Sequence, residues 1–466
     1  MNSEFDFIVR NGNLVQQSGV FKLDMGIRDG CITAIEPRLE GGGCPEVDAA
    51  GMTVMPGGID VHVHLNEPGM GHWEGFRTGS ASLAAGGTTT YADMPLNGRP
   101  PTVTAKTLHH KIELAEGNSA VDYALWGGLM PGYLDRLDEL AGAGAIGFKA
   151  FMSSPGMTGE DDFREVDDQT LLLGMEAIAR LGGILALHAE NEEMVSALAE
   201  EARQAGRTGA YDYSASRPVE AEVEAVKRAL TYAKQTGCRL HFVHMSSVEA
   251  LAVITAAKRQ GMDVTSEVCT HHLILTEDDL AVIGPAAKCA PPLRNQAEID
   301  GLWEALVRGE IDMIASDHSP CPTELKASEN FFEAWGGVSG AQHRMELMID
   351  EAYLKRGIPL SKVAELLSGA PADRFGLSER KGRLAAGQDA DFVFIDLEHS
   401  YRVERAELLY LHPHSPFIGR GIDCKVMATY CRGNLVYAAG SGVPEGREGF
   451  FLSASIPKTG EKKVFG

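Results

Sequence analysis

The chain has 466 residues, which exceeds one ordinary domain and suits a large domain with a smaller companion. Hydrophobic residues make up 44% of it, as in globular proteins, and no apolar run is long enough to cross a bilayer. The formal net charge of -23 argues against nucleic acid or an anionic membrane as partner, because either would require a basic surface.

The N-terminal residues and the cysteines indicate in which compartment of the cell we expect the protein. The N-terminus lacks the basic start and apolar core of a signal peptide, so we expect a cytoplasmic protein. The eight cysteines are scattered without any Cys-x-x-Cys pair, and we expect them to be reduced and mostly buried.

Both ends of the chain predict short β-strands. In the first part, apolar segments separated by glycine turns cover residues 5–9, 23–27, 31–35 and 53–55. The same pattern of short apolar segments recurs at residues 382–387, 390–395, 425–432 and 435–438. Because neither end is long enough for a large core, we predict that residues 1–55 and 379–446 meet in one small β-sandwich. Residues 447–466 then form a C-terminal arm.

The middle of the chain, residues 56–378, alternates strand-like with helical segments, which is the pattern of a parallel α/β fold. The candidate strands cover residues 59–64, 88–93, 122–126, 146–149, 184–188, 240–244, 264–268 and 311–316. Helical periodicity occupies residues 105–114, 168–181, 219–235, 247–260 and 296–307. Eight such units predict a closed (β/α)8 TIM barrel, whose reactive groups collect at the carboxyl ends of its strands.

The first barrel strand carries His62 and His64, two residues apart. Side chains alternate along a strand, so both imidazoles point to one side and can bind the same metal ion. A lone His-x-His pair is common and equally compatible with packed or surface histidines. Further donors at other predicted strand ends favour a metal site, namely Lys149, His188, His244 and Asp317. We expect His241 and His271 to pack in the interior instead.

These six side chains suit two divalent ions that hold a hydroxide between them and polarise a carbonyl. A lysine beside cations is explained if its neutral amine takes up CO2, which makes a carboxylated lysine; a Lys149 that merely reaches solvent is the alternative. Asp317 would bind metal and also carry the proton of the attacking hydroxide to the leaving nitrogen. Zinc is the metal we expect, and iron, cobalt, manganese and nickel suit the same donors.

Several motifs together resemble those of the amidohydrolase superfamily, within it the cyclic amidases. Residues 56–64 (PGGIDVHVH) resemble the opening metal motif of that family, 147–149 its carboxylated lysine and 316–321 (SDHSPC) its terminal aspartate motif. Residues 387–391 are similar to the strand that re-enters the sandwich. The resemblance covers nearly the whole chain. It implies a (β/α)8 barrel, a binuclear metal centre, hydrolysis of a small cyclic amide and a homotetramer.

Positions at which this chain departs from the motifs of other cyclic amidases indicate which branch of the family it resembles. Dihydroorotases have an arginine where this chain has Asn66, and hydantoinases have a tyrosine shortly after the lysine, where residues 149–154 (KAFMSS) have none. The stretch with Asn66 and residues 94–97 (MPLN), where dihydroorotases have Met-Pro-Asn, both resemble allantoinases, which open the hydantoin ring of allantoin to allantoate in purine breakdown. A hydantoinase or dihydropyrimidinase is the alternative. A dihydroorotase agrees less well because Asn66 cannot supply the charge of its arginine. A structural relative without catalysis agrees less well because all six ligand positions are filled.

Contacts with the substrate are also implied by the resemblance. An uncharged ureide needs hydrogen-bond donors and acceptors rather than a charge, which a neutral side chain such as Asn66 offers. The positions expected to contact substrate are Asn66, Asn97, Ser153, Cys289 and Pro291.

Overall fold

The computed structural model describes residues 4–157, 159–446 and 448–453. The strands are β1 (Phe7–Gln16), β2 (Gly19–Arg28), β3 (Cys31–Glu36), β4 (Glu46–Asp48), β5 (Thr53–Pro56), β6 (Gly58–Val63), β7 (Thr88–Asp93), β8 (Asp122–Leu125), β9 (Gly127–Gly128), β10 (Phe148–Phe151), β11 (Ile184–His188), β12 (Arg239–Phe242), β13 (Val264–Cys269), β14 (Met313–Ala315), β15 (Phe392–Asp396), β16 (Tyr401–Arg402), β17 (Gly421–Ile422), β18 (Lys425–Cys431) and β19 (Asn434–Ala438).

The α-helices are α1 (Gly75–Ala85), α2 (Ala105–Ala115), α3 (Leu137–Gly142), α4 (Asp168–Arg180), α5 (Glu192–Gln204), α6 (Ala210–Ala215), α7 (Val219–Thr236), α8 (Val248–Arg259), α9 (Thr270–Ile274), α10 (Glu277–Ile283), α11 (Gln296–Val307), α12 (Arg344–Met348), α13 (Leu360–Ala364) and α14 (Ala370–Arg374). None of the helices in the described part of the chain combines the length and the hydropathy needed to cross a membrane.

Strands β6 to β14 form the barrel. Neighbouring strands pair in parallel from β6 to β8 and from β9 to β14, and β9 continues the course of β8 one residue further on. The ring closes where Val63 pairs with His318, just beyond β14, and the His64 amide donates to the His318 carbonyl at 2.7 Å. Counting β8 and β9 as one, this is the predicted (β/α)8 barrel.

The buried guanidinium of Arg344 connects the first and last strands at the point where the barrel closes. Arg344, at the start of α12, is fully buried and donates to the carbonyls of Ile59 at 3.0 Å and Ile314 at 2.8 Å. Its Nε lies 3.4 Å from the Asp60 carboxylate. The first and last barrel strands are therefore joined by one side chain as well as by backbone hydrogen bonds.

Most of the long outer helices begin at a residue whose side chain accepts a hydrogen bond from the first turn, which satisfies a backbone donor with no partner inside the helix. Such caps precede α2, α4, α5, α8 and α11, at Thr104, Asp167, Asn191, Ser247 and Asn295. Helix α7 ends at Gly237, whose φ of 72° is the left-handed conformation that glycine adopts without strain.

The two ends of the chain share one eight-stranded sheet, in the order β19-β18-β15-β5-β1-β2-β3, with β4 also beside β1. The first half of β1 pairs with β4 and its second half with β5, so the sheet folds over at β1 into the small β-sandwich. Its core contains Leu14, Val54 and Phe392, which come from both ends of the chain.

Charged side chains join this sandwich to the barrel. Lys381 is buried and its Nζ lies 2.6 Å from Asp122, 2.8 Å from Asp391 and 2.9 Å from Asp389. The backbone amide of Phe450 donates to Asp122 at 2.9 Å, which brings the start of the predicted arm to the same junction. Residue 447 and residues 454–466 of that arm lie outside the described residues.

Several elements differ from the expectations. Residues 382–387 form bends and a turn at residues 386–387 rather than a strand. Gly382 and Gly387 have φ values of 97° and 90°, which strands do not use. Strand β10 begins two residues later than predicted, so Lys149 is its second residue and not its end. Helices such as α1 and α5 were not predicted, and α1 is buried along most of its length and lacks a polar face.

Candidate metal centre

The six predicted donors lie together at the carboxyl end of the barrel. Each belongs to a different strand or the residues just after one, except that His62 and His64 share β6 and its extension. All six are buried or nearly so, with at most 13% of any side chain exposed. They are His62, His64, Lys149, His188, His244 and Asp317.

The four imidazoles form a continuous row. Ring centroids are 5.4 Å apart between His64 and His62, 5.4 Å between His62 and His244, and 4.7 Å between His244 and His188. The Asp317 carboxylate lies 3.1 Å from His62 Nε2 and 3.2 Å from His64 Nε2, and His188 Nδ1 lies 3.0 Å from His244 Nε2. The arrangement thus contains two adjacent groups of donor atoms.

Two buried carboxylates determine which imidazole nitrogen faces the site. Glu267 Oε1 lies 2.5 Å from His62 Nδ1, and Glu190 Oε2 lies 2.8 Å from His188 Nε2. Each carboxylate accepts a hydrogen bond from the N–H of the ring nitrogen it faces, so the lone pair is on the other nitrogen. His62 therefore presents Nε2 to the cluster, while His188 presents Nδ1.

The protonation states suit metal binding. Burial lowers the pKa of His64 and His188, and lowers that of His244 well below its usual value, so these rings are neutral at neutral pH. Burial alone would raise the pKa of Asp317, but His62 and His64 outweigh it and hold this pKa well below its usual range. Neutral imidazoles and an ionised carboxylate are the forms that bind a cation.

Lys149 is in an unusual environment. Its side chain is fully buried, and Nζ has no hydrogen-bond partner among the described residues. Burial lowers the pKa of Lys149 to about 8. An amine without an acceptor beside four imidazoles and Asp317 does not complete a stable site by itself, whereas an anionic oxygen ligand at this position would complete the donor set.

A cavity of about 640 Å³ opens above the cluster. His62, His64, His188, His244 and Asp317 line it, together with two of the expected substrate contacts, Asn97 and Cys289.

The other three expected contacts are not among the described residues that line the cavity. Asn66 is buried and donates from Nδ2 to the Pro320 carbonyl at 3.3 Å, and the Ser153 hydroxyl is buried without a partner. The Pro291 carbonyl accepts from His272 Nε2 at 3.1 Å. Their roles in substrate binding stay predictions.

Four positions around the site have a left-handed backbone without being glycine. His244 has a φ of 39° and Asp317 a φ of 44°, while Asn66 and Asn97 have 65° and 62°. Non-glycine residues adopt this conformation infrequently, and when they do it is often at functional sites. At His244 and Asp317 it turns the chain sharply beyond β12 and β14.

Sequence reasoning missed the two carboxylates that orient the imidazoles. Glu267 is a charged residue within the buried strand β13, the same kind of signal that drew attention to Lys149. Glu190 follows His188 by two residues and is paired with Arg217 at 2.5 Å. Its separation matches that of His62 and His64, a pattern that would have identified it.

Comparisons with known proteins agree with this architecture. The sequence model of the amidohydrolase family matches residues 53–436. An allantoinase of Rubrobacter xylanophilus is 47% identical over 447 residues, which cover 96% of this chain and 97% of the relative. An allantoinase of Deinococcus radiodurans is 46% identical, with 95% and 98% covered.

Solved structures give the same result. An L-hydantoinase (dihydropyrimidinase) from Arthrobacter aurescens superimposes with a TM-score of 0.92 and 35% identity, covering 96% of this chain and 100% of that one. A family match across most of the sequence, and relatives of this identity along their whole length, show that the chain belongs to the amidohydrolase family.

Proposed function

We propose that the protein hydrolyses the hydantoin ring of allantoin to allantoate. The main support is the set of six buried donors at the mouth of the barrel, in a chain whose relatives named allantoinases are 44–47% identical over nearly their full length. The hydantoinases among the similar structures are 27–35% identical. The closer similarity to allantoinases favours allantoin over hydantoin as substrate.

We infer that the cluster holds two divalent cations, zinc being the first choice for imidazole and carboxylate donors. His62, His64 and Asp317 would hold one ion, and His188 and His244 the other. Two such ions supply the polarisation of a ring carbonyl and the activation of a water molecule.

Carboxylation of Lys149 is the finer part of this proposal. In this reaction the neutral amine forms an N–C bond with CO2 and releases one proton, which leaves a carbamate anion with two ligand oxygens. The burial of Nζ and the absence of any acceptor for it among the described residues support the modification. The lowered pKa of Lys149 makes the neutral amine accessible near neutral pH.

The side chains of the site have separate tasks in ring opening. Asp317, ionised and facing the cavity, accepts the proton of the attacking water and returns it to the ring nitrogen as the C–N bond breaks. Glu267 and Glu190 keep His62 and His188 in their orientations. Asn97 and Cys289 line the cavity, which supports their proposed contact with an uncharged ureide.

The proposed substrate is tested by comparing kcat/KM of the metal-loaded protein for allantoin, hydantoin, dihydrouracil and dihydroorotate in one buffer with one metal. We expect a strong preference for allantoin. Preference for hydantoin or dihydrouracil would instead make the protein a hydantoinase or dihydropyrimidinase, a candidate favoured by the TM-score of 0.92 to the Arthrobacter enzyme.

The carboxylated lysine is tested with Lys149→Met, which keeps an apolar chain of similar length but cannot form a carbamate. We expect loss of at least one tightly bound ion and of turnover, measured by metal analysis of the purified protein and by kcat. The matched control is Lys288→Met, since Lys288 is also a buried lysine, with a pKa lowered by burial to about 7, but its Nζ donates to the Ala334 carbonyl. Two tightly bound ions in Lys149→Met would exclude the carbamate.

A further inference from the structure

A second group of possible metal ligands lies outside the six donors. Cys269 ends β13, and His271 and His272 follow in the first turn of α9. All three side chains are buried, and one donor atom from each lies within 4.8 Å of the others. None of the three has a role in the proposed hydrolysis, and sequence reasoning expected His271 to be a packed interior residue.

The imidazoles of this group have nitrogens without partners. His271 Nε2 and His272 Nδ1 are buried and make no hydrogen bond within the described structure. His272 Nε2 faces the Pro291 carbonyl at 3.1 Å, so this nitrogen carries the ring proton and Nδ1 carries the lone pair. A buried nitrogen with a free lone pair costs free energy unless something binds it.

We propose that Cys269, His271 and His272 bind a further divalent ion of the thiophilic kind, such as zinc. Thiolate sulfur and imidazole nitrogen are both ligand types that zinc takes, and three protein ligands leave a fourth position open. On binding, the Cys269 thiol releases its proton to solvent and the sulfur–metal bond forms without any change of oxidation state. One ion would take one ligand atom from each of the three side chains.

A neighbouring thiol provides a matched comparison. Cys289 is also buried, and its Sγ lies 3.8 Å from His272 Nε2, the nitrogen that already faces Pro291. It therefore lies on the opposite side of the ring from the free Nδ1. Cys269, whose Sγ lies within 4.8 Å of one nitrogen of each imidazole, is therefore the sulfur ligand in this proposal, and Cys289 is not.

The test uses the full-length protein loaded with Co²⁺, because thiolate bound to cobalt gives a charge-transfer absorption band in the near ultraviolet that nitrogen and oxygen ligands do not give. We expect the band in the wild type and in Cys289→Ser, and its loss in Cys269→Ser together with one equivalent of metal per chain. Cys269→Ala, which adds no polar atom to the buried position, should give the same result and guards against misfolding of the serine variant.

The result of this cobalt experiment does not depend on whether the protein hydrolyses allantoin. Lys149→Met should keep the band, because Lys149 is not a ligand of the Cys269 group. A wild-type protein without the band, a band that disappears only in Cys289→Ser, or equal metal content in wild type and both Cys269 variants would each overturn the proposal.

Discussion

Glu267 is the residue on which the orientation of two histidines depends. Its carboxylate is fully buried and lies 2.5 Å from His62 Nδ1 and 3.0 Å from His241 Nε2. Burial alone would raise its pKa, but the two histidines outweigh this and lower the pKa of Glu267 to about 2. An ionised group accepts hydrogen bonds from both rings, and the strand position of Glu267 keeps it between them.

Replacing this carboxylate tests its role. Glu267→Gln keeps the shape but has one acceptor oxygen instead of two, so one imidazole loses its partner. We expect metal affinity, measured by chelator competition, to fall about 10–100-fold. Glu222→Gln is the control, because Glu222 is equally buried but accepts from Ser246 and Ser247, and it should bind metal like the wild type. Unchanged affinity in Glu267→Gln would show that His62 is positioned by other contacts.

Asp317 is the proposed proton carrier, and its amide variant separates that task from folding. Asp317→Asn should fold and bind substrate but lose turnover by about 10²–10⁴-fold, because an amide cannot accept the proton. The measurement is kcat at equal metal content. Asp312 lies outside the cluster, where its carboxylate accepts a hydrogen bond from the Ser266 backbone amide at 2.7 Å, and Asp312→Asn should leave kcat nearly unchanged. Turnover close to normal in Asp317→Asn would remove Asp317 from the mechanism.

At the scale of elements, the grouping of the six donors could be predicted because apolar strands ending in His or Asp are readable in sequence, and parallel strands bring their ends together. The residue at which β10 begins could not be predicted. Ile146 and Gly147 look like strand residues, yet pairing with β9 and β11 begins at Phe148, and tertiary pairing decides such boundaries. Glu267 was missed because it lies inside β13 rather than at the end of a strand, and the sequence does not show that the barrel brings it to His62.

The contact between β6 and β14, where the barrel closes, can be tested by replacing Arg344. Arg344→Met removes donors to the Ile59 and Ile314 carbonyls and leaves Asp60 without its cation. We expect the free energy of unfolding in urea to fall by about 3–5 kcal/mol. Arg308→Met, which breaks a half-exposed pair with Glu310, should cost less than about 1 kcal/mol. Equal losses in the two variants would contradict the role of Arg344 in closure.

For the whole molecule, a buried acid makes stability depend on pH. Glu74 is buried beside the Leu411 amide, at 3.2 Å, and His318, at 3.9 Å, and burial raises the pKa of Glu74 to about 8. The folded protein therefore keeps this proton over a pH range in which the unfolded chain, with an ordinary carboxyl of pKa 4.5, has lost it. Stability should fall as pH rises through that range.

Glu74→Gln removes this dependence, since its amide does not ionise. We expect the free energy of unfolding of the variant, relative to the wild type, to increase from pH 5 to pH 8. Urea unfolding at several pH values measures the difference between the two proteins. A difference that stays constant across the range would contradict the raised pKa of Glu74.

The sheet shared by both chain ends has a consequence for biosynthesis. Strand β5 (Thr53–Pro56) pairs with β15 (Phe392–Asp396), so its partner leaves the ribosome only after the whole barrel has been translated. At about 5–20 residues per second, the edge of β5 waits for tens of seconds with open hydrogen-bonding groups. Nascent chains stalled before residue 392 should therefore need chaperone protection more than released ones.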